Sequence, residues 1–148
     1  MRNAVVVDTS IAIKWVLNEA DSAVALALLA EWRNKKTAML APALLAYEAS
    51  NTLYQNVRRG KITFDTAKQG LTKVILVGLQ LDFSQDPALG IRAIELANNF
   101  SLPATYDSYY LALAEREHCN FWTADTRLWT AVQGKLSWVR WMGDYSAP

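Results

Sequence analysis

The chain has 148 residues, of which 52% are hydrophobic and 20% are charged, and its formal net charge is +1. This length suits one domain (residues 1–148) with its own core, and the composition excludes a disordered or fibrous chain. No signal peptide is visible and no apolar run approaches the roughly 18 residues of a membrane span, so a soluble, cytoplasmic protein is expected.

The cysteine and histidine counts narrow the possible chemistry. Cys119 is the one cysteine and His118 the one histidine. These counts exclude an internal disulfide, a histidine-rich zinc site and a Ser-His-Asp triad built on a distant histidine. The small net charge permits RNA as a partner without indicating it. Apolar content and six tryptophans exceed what one small core needs, so we expect a homodimer.

Strand and helix patterns alternate along the chain. The run 4–7 is β-branched without polar alternation, typical of a strand buried on both faces. Thr63 and Asp86-Pro87 are helix starts, Gly60 is a helix terminator, and Pro42 suits a first helical turn. In chain order we predict strand 4–7, helices 10–17 and 22–33, strand 39–41, helices 42–53 and 63–77, strand 79–83, helices 86–99 and 107–117, strand 120–123, helix 125–132 and strand 138–141.

This alternation predicts an α/β fold with a central, mainly parallel sheet flanked by helices on both faces. In such sheets ligands bind beyond the carboxyl ends of the strands. Asp8 and Asp125 each follow a predicted strand, so they are expected at the same sheet edge although 117 positions separate them.

Two further acids extend the candidate site. Asp107 opens a predicted helix, and Glu48 lies inside an otherwise apolar one. With Asp8 and Asp125 they would form an oxygen-only site, which suits Mg²⁺, with Mn²⁺ as a possible substitute, rather than zinc. Small polar residues stand near three of the acids and could orient carboxylates or hold water: Ser10, Asn51 and Thr123.

Each acid also has a structural interpretation. Asp8 and Asp125 could cap the helices that follow them, and Asp107 could complement the positive end of its helix. Glu48 could be a solvated surface residue. Local sequence alone leaves these alternatives open.

Four strings, taken in order, resemble the PIN-domain ribonucleases, and most closely the VapC-type toxins of toxin–antitoxin pairs. They are VVVDTS at 5–10, PALLAYEASN at 42–51, YDSYYLALA at 106–114 and TADTRL at 123–128. The resemblance implies a three-layer α/β/α fold and one or two divalent ions that drive RNA cleavage, held by Asp8, Glu48, Asp107 and Asp125. It further implies a homodimer and a cognate antitoxin protein.

Three other functions compete with the nuclease hypothesis. A phosphatase with an aspartate nucleophile needs a second aspartate where Ser10 stands, and a nucleotide-binding module needs a glycine-rich loop, which is missing after Val7. A PIN-like scaffold that binds RNA or protein without catalysis is the remaining alternative. Lys14, Arg58 and Arg127 are candidate phosphate contacts in the nuclease hypothesis.

Overall fold

The structure is a computed structural model that describes residues 1–148. Five strands and seven α-helices alternate along the chain in the order β1 Ala4–Val7, α1 Thr9–Ala12, α2 Ser22–Asn34, β2 Ala38–Pro42, α3 Leu44–Arg58, α4 Phe64–Leu76, β3 Leu79–Asp82, α5 Pro87–Asn99, α6 Tyr106–Arg116, β4 Asn120–Thr123, α7 Thr126–Val132 and β5 Val139–Trp141. Short 3₁₀ turns follow α1 and β5, at Ile13–Trp15 and Met142–Asp144. None of the helices is both long and apolar enough to cross a bilayer.

The five strands form one sheet in the order β3-β2-β1-β4-β5, and every neighbouring pair is parallel. The central strand β1 is buried along its whole length, as its unbroken apolar run predicts. The chain builds outward from β1 through β2 and β3 and then returns to the other side for β4 and β5. The direction of winding therefore changes between β1 and β4, and ligands of such sheets bind at this switch point.

Helices cover both faces of the sheet, so the predicted three-layer α/β/α fold is confirmed. Adjacent strand residues point to opposite faces, and β4 shows this directly. The ring of Phe121 packs on Tyr110 of α6 at 5.9 Å, and the ring of Trp122 packs on Trp32 of α2 at 6.1 Å. Helices α6 and α2 consequently lie on opposite sides, over a core cluster of 34 buried residues.

One helix start was wrong. Pro42 is the last residue of β2 rather than the first turn of a helix, and α3 begins at Leu44. The pairing of β2 with β1 ends at Leu40, while the pairing with β3 continues to Pro42. Successive backbone N–H groups of a strand point to opposite sides, and Ala43 donates its N–H to β3. An N–H at position 42 would therefore point towards β1, which has already ended there, so proline costs no hydrogen bond of the sheet.

None of the six tryptophans is fully exposed. All six are buried or half-buried. Trp15, Trp32 and Trp122 make successive edge-to-face contacts, and Trp129 stacks on Trp141 at 6.2 Å. The tryptophans thus pack largely against one another, and the homodimer stays a prediction.

Candidate functional site

The four predicted acids gather at the carboxyl edge of the sheet. Asp8 follows β1 directly, and Asp125 follows the adjacent strand β4 by two residues, so both flank the switch point. Asp107 lies in the first turn of α6, and Glu48 lies in the second turn of α3. Elements far apart in sequence therefore bring the four acids to one region.

Asp8 is buried and is held through one oxygen. Its side chain is 4% exposed, and Oδ2 accepts hydrogen bonds from Thr123 Oγ1 at 2.7 Å and Ser10 Oγ at 2.8 Å. Asp8 occupies the N-cap position of α1, but its carboxylate makes no capping bond, so capping does not account for this side chain. Oδ1 accepts no hydrogen bond from the protein.

The two hydroxyls that hold Asp8 also join the ends of the strands. Ser10 Oγ accepts from the backbone N–H of Ala124 at 2.9 Å, and Thr123 Oγ1 accepts from that of Asp125 at 3.0 Å. The predicted polar groups Ser10 and Thr123 thus orient Asp8 and the segment that leads to Asp125 together.

Glu48 is likewise held through a single oxygen. Oε1 accepts from the Tyr110 hydroxyl at 2.6 Å. Thr9 Oγ1 lies 2.6 Å from the Tyr110 oxygen, to which it donates, and 3.1 Å from Oε1. Burial, followed by the charges of Asp8 and Glu48, raises the pKa of Tyr110 far above its usual value, so the phenol keeps its proton. The Thr9 hydroxyl, expected from the sequence beside Asp8, instead contacts Glu48 and Tyr110. Sequence reasoning did not assign Tyr110 a role at the site, although Tyr110 follows Asp107 by one helical turn.

Asp125 is also held through one oxygen, whereas Asp107 is not held by the protein. Asp125 Oδ1 caps α7 by accepting from the N–H groups of Arg127 at 2.9 Å and Leu128 at 3.2 Å, so its capping interpretation is confirmed. Its Oδ2 has no protein donor, and Asp107 has none on either oxygen. Asp8, Glu48 and Asp125 therefore each keep one oxygen fixed and one oxygen free.

Burial and mutual repulsion disfavour ionisation at this edge. Burial, then the charges of Asp107 and Glu48, raise the pKa of Asp8 to about 7 against the opposing hydrogen bonds from Thr123 and Ser10. Burial, then the charges of Asp125 and Glu48, raise the pKa of Asp107 to about 6. None of the four acids forms an ion pair with Lys, Arg or His. All ion pairs of the structure involve other acidic residues.

The donor set fits a hard divalent cation by its chemistry. It offers only oxygen atoms and carries negative charge that no protein cation offsets. No three His, Cys, Asp or Glu side chains lie close enough together to form a ready coordination shell. Binding an ion here would therefore require side-chain movement.

Three other predicted residues do not join the acids. Asn51 is exposed, and its Oδ1 accepts from Gln55 Nε2 at 3.5 Å instead of contacting Glu48. Lys14 pairs with Glu19 and Asp21. Arg127 is exposed and reaches Asp125 through its backbone alone.

Comparisons with known proteins agree with this architecture. A family model described as PIN domain matches residues 5–134. PAE2754 from Pyrobaculum aerophilum superimposes with a TM-score of 0.65 at 22% identity, covering 95% of this chain and 90% of that one. A chain of a toxin–antitoxin complex from Klebsiella pneumoniae gives a TM-score of 0.64 at 17% identity, covering 93% and 96%.

A third similar structure is Mycobacterium tuberculosis VapC20, described as a toxin that cleaves the sarcin-ricin loop. Its TM-score is 0.63 at 17% identity, covering 86% of this chain and 95% of that one. No curated protein matches the chain significantly in sequence. At these identities the structural likenesses establish a shared fold.

Proposed function

This chain belongs to the PIN domain family, and on that premise we propose that it is a divalent-metal-dependent endoribonuclease that hydrolyses RNA phosphodiester bonds. The supporting observation is the set of free carboxylate oxygens at the switch point, left by Asp8, Glu48, Asp107 and Asp125. Mg²⁺ is the proposed ion, with Mn²⁺ as a substitute, because both prefer oxygen ligands.

Asp8, Asp107 and Asp125 would hold the ion through those free oxygens, and Glu48 would do so directly or through water. A divalent ion in this position supplies charge neutralisation for the transition state and lowers the pKa of water. The hydroxyls of Ser10 and Thr123 keep the second oxygen of Asp8 occupied, so this carboxylate presents one defined oxygen to a ligand.

Glu48 is the proposed general base. Tyr110 donates to its Oε1, so Oε2 is the oxygen able to accept a proton from an attacking water. This bond, with Thr9 donating in turn to the Tyr110 oxygen, fixes the rotation of the carboxylate, and orientation governs the efficiency of proton transfer.

Removing one of these bonds gives a direct test of positioning. We expect Tyr110→Phe to lower the turnover number roughly tenfold with little change in KM, as loss of an orienting partner typically does. Tyr109→Phe is the matched control, since its hydroxyl makes no hydrogen bond to the acids, and it should retain full turnover. Steady-state cleavage kinetics measure both. Equal turnover in the two variants would contradict the role given to Tyr110.

Cleavage assays on RNA test the activity itself. The purified chain should cut RNA at internal positions with Mg²⁺ or Mn²⁺ and should stop when EDTA is added. The rival scaffold hypothesis predicts no cleavage and no binding of divalent ions, because a scaffold has no need of them. Calorimetric titration that detects no Mg²⁺ or Mn²⁺ binding at millimolar concentration would favour the scaffold.

We further propose that this nuclease is the cytoplasmic toxin of a toxin–antitoxin pair. Support comes from its likeness to a chain of the Klebsiella pneumoniae complex and to VapC20. A nuclease active on cellular RNA harms its host unless a partner blocks it, which a cognate antitoxin protein would do.

We expect antitoxin binding and Mg²⁺ binding to oppose each other. The four acids present unpaired negative charge, so an Arg or Lys of an inserted antitoxin segment would pair with them and compete with the ion. Reciprocal linkage then requires saturating Mg²⁺ to weaken antitoxin affinity. Calorimetry with and without Mg²⁺ measures this, and identical affinities would place the inhibitory contact away from the acids.

A homodimer is also expected from the resemblance to VapC-type toxins. Sedimentation at micromolar concentration should show a species of twice the chain mass of 16.6 kDa. A single 16.6 kDa species under these conditions would contradict it.

A further inference from the structure

Helix α3 exposes one continuous stripe of side chains that begins beside the candidate site. The exposed residues of this helix are Tyr47, Asn51, Tyr54 and Arg58, which we name the α3 stripe. Their spacing of four, three and four residues places them one above another on a single helix face. The opposite face is buried in the core through Leu45, Ala49 and Leu53.

We propose that the α3 stripe binds single-stranded RNA and leads it to the four acids. Bases would stack on the rings of Tyr47 and Tyr54, and the phosphate backbone would approach Arg58. The choice of RNA as the ligand rests on the proposed function, whereas the surface itself is defined by exposure, spacing and charge.

The stripe is continuous with the catalytic residues. Tyr47, which is 68% exposed, immediately precedes Glu48 in α3, so it is the member of the α3 stripe nearest along the helix to the proposed general base. Arg58 lies eleven residues after Tyr47, about 16 Å away at the rise of an α-helix. An RNA strand bound along the α3 stripe would span a few nucleotides and would enter the candidate site at the Tyr47 end of the stripe.

The charge distribution along α3 also suits a nucleic acid strand. Arg58 is followed by Arg59 and Lys61, and none of the three forms an ion pair with an acid. Gly60, at φ +69, turns the chain there so that these cations share the tip between α3 and α4. These three unpaired basic side chains would attract RNA phosphates to the Arg58 end of the α3 stripe. The four unpaired acids of the candidate site lie towards its Tyr47 end.

The residue types favour single-stranded RNA over duplex. Base faces are open to aromatic side chains when bases are unstacked, and aromatic rings combined with positive charge are typical of surfaces that bind single strands. Tyr54 is 57% exposed, so its ring is available for stacking.

The rival occupant is a protein partner. Leu53, Val57 and Phe64 line an apolar cleft of about 140 Å³ between α3 and α4, under one edge of Tyr54. Such a cleft fits an aliphatic side chain. The polar and basic groups of the α3 stripe favour RNA, and the experiment below separates the two.

Binding should be measured without cleavage, using Asp107→Asn protein in EDTA and a fluorescein-labelled single-stranded RNA of mixed sequence. We expect Tyr47→Ala and Tyr54→Ala each to weaken affinity about tenfold, the usual size of one lost base stack. Tyr→Phe at either position should preserve affinity, and Tyr54→Leu should not, because leucine keeps apolar area without a ring. Ile94→Ala, an exposed apolar residue of α5, is the control and should bind normally.

Salt dependence tests the basic end independently. Replacing Arg58, Arg59 and Lys61 together by glutamine should reduce the slope of log affinity against log salt by about 2, since each single-strand phosphate contact contributes roughly 0.7. A triple variant of equal charge change, Lys36→Gln, Lys73→Gln and Lys135→Gln, should change the slope much less.

Two results would overturn the inference. Unchanged RNA affinity in the alanine variants would exclude stacking on the α3 stripe. Altered self-association in sedimentation, with RNA affinity intact, would assign the face to a protein partner. Failure of the proposed function has a different signature, namely a wild-type chain that cuts no RNA with any divalent ion, whatever the binding results in EDTA.

Discussion

Replacing Asp8, Asp107 or Asp125 by asparagine is expected to lower divalent-dependent RNA cleavage by roughly 100-fold or more while leaving the fold intact. Each substitution removes a charged oxygen proposed to hold the ion, and loss of even an outer partner of a metal site commonly costs 10–100-fold. Asparagine has nearly the same shape as aspartate, so packing should survive. Cleavage rates at saturating Mg²⁺, together with circular dichroism, measure both outcomes.

Asp125 has an informative control. Asp86 caps α5 by accepting from the N–H of Ala88 at 3.0 Å, much as Asp125 caps α7, but it is exposed and stands outside the acidic cluster. Because asparagine also caps helices well, both variants should fold normally. Asp86→Asn should cut RNA at the wild-type rate. Near-normal cleavage by Asp125→Asn would reduce Asp125 to a helix cap.

The metal-free chain is expected to lose stability as the pH rises from about 4 to about 7. The pKa of Asp8 is raised from 3.8 to about 7 and that of Asp107 to about 6, so the folded state favours their protonated forms. That favourable contribution is complete below the unfolded pKa and is lost as the pH passes the folded pKa. For Asp8 the effect on the free energy of unfolding is on the order of 3–4 kcal/mol.

Asp8→Asn should remove most of this dependence. Both hydrogen bonds to Asp8 go to Oδ2, so an amide oxygen can accept them while its NH₂ group faces the neighbouring carboxylates. In EDTA at pH 8 the variant should unfold at higher denaturant concentration than the wild type, and near pH 4 the two should converge. Denaturation curves across this range measure it, with exposed Asp86→Asn as the control. Parallel curves at every pH would show that Asp8 carries no buried charge.

Added Mg²⁺ should reverse the wild-type loss at pH 8, because an ion that binds the folded state alone stabilises it by mass action. The gain should be much smaller in Asp8→Asn, which lacks one proposed ligand.

Local patterns in the sequence were sufficient for the strands, for most helix bounds and for the placement of Asp8 and Asp125 at one sheet edge. The caps Thr63 and Asp86 also follow from neighbouring residues, and both accept the expected backbone N–H. Periodicity and capping act over a few residues, so the chain carries these signals directly. The start of α3 escaped prediction because Pro42 suits a helix start as well as a strand end, and only the early end of β1 decides between them.

Tertiary structure alone decided how the carboxylates are held. Glu48 meets Tyr110 across 62 positions, and Asp8 meets Thr123 across 115. Such contacts depend on strand order and on the rotation of α3 and α6 against the sheet, which no local spacing encodes. The sequence therefore determined which acids belong to this edge. The packing of distant elements determined which oxygen of each remains free. It also left Asn51 exposed on the α3 stripe, where it contacts Gln55 and not Glu48.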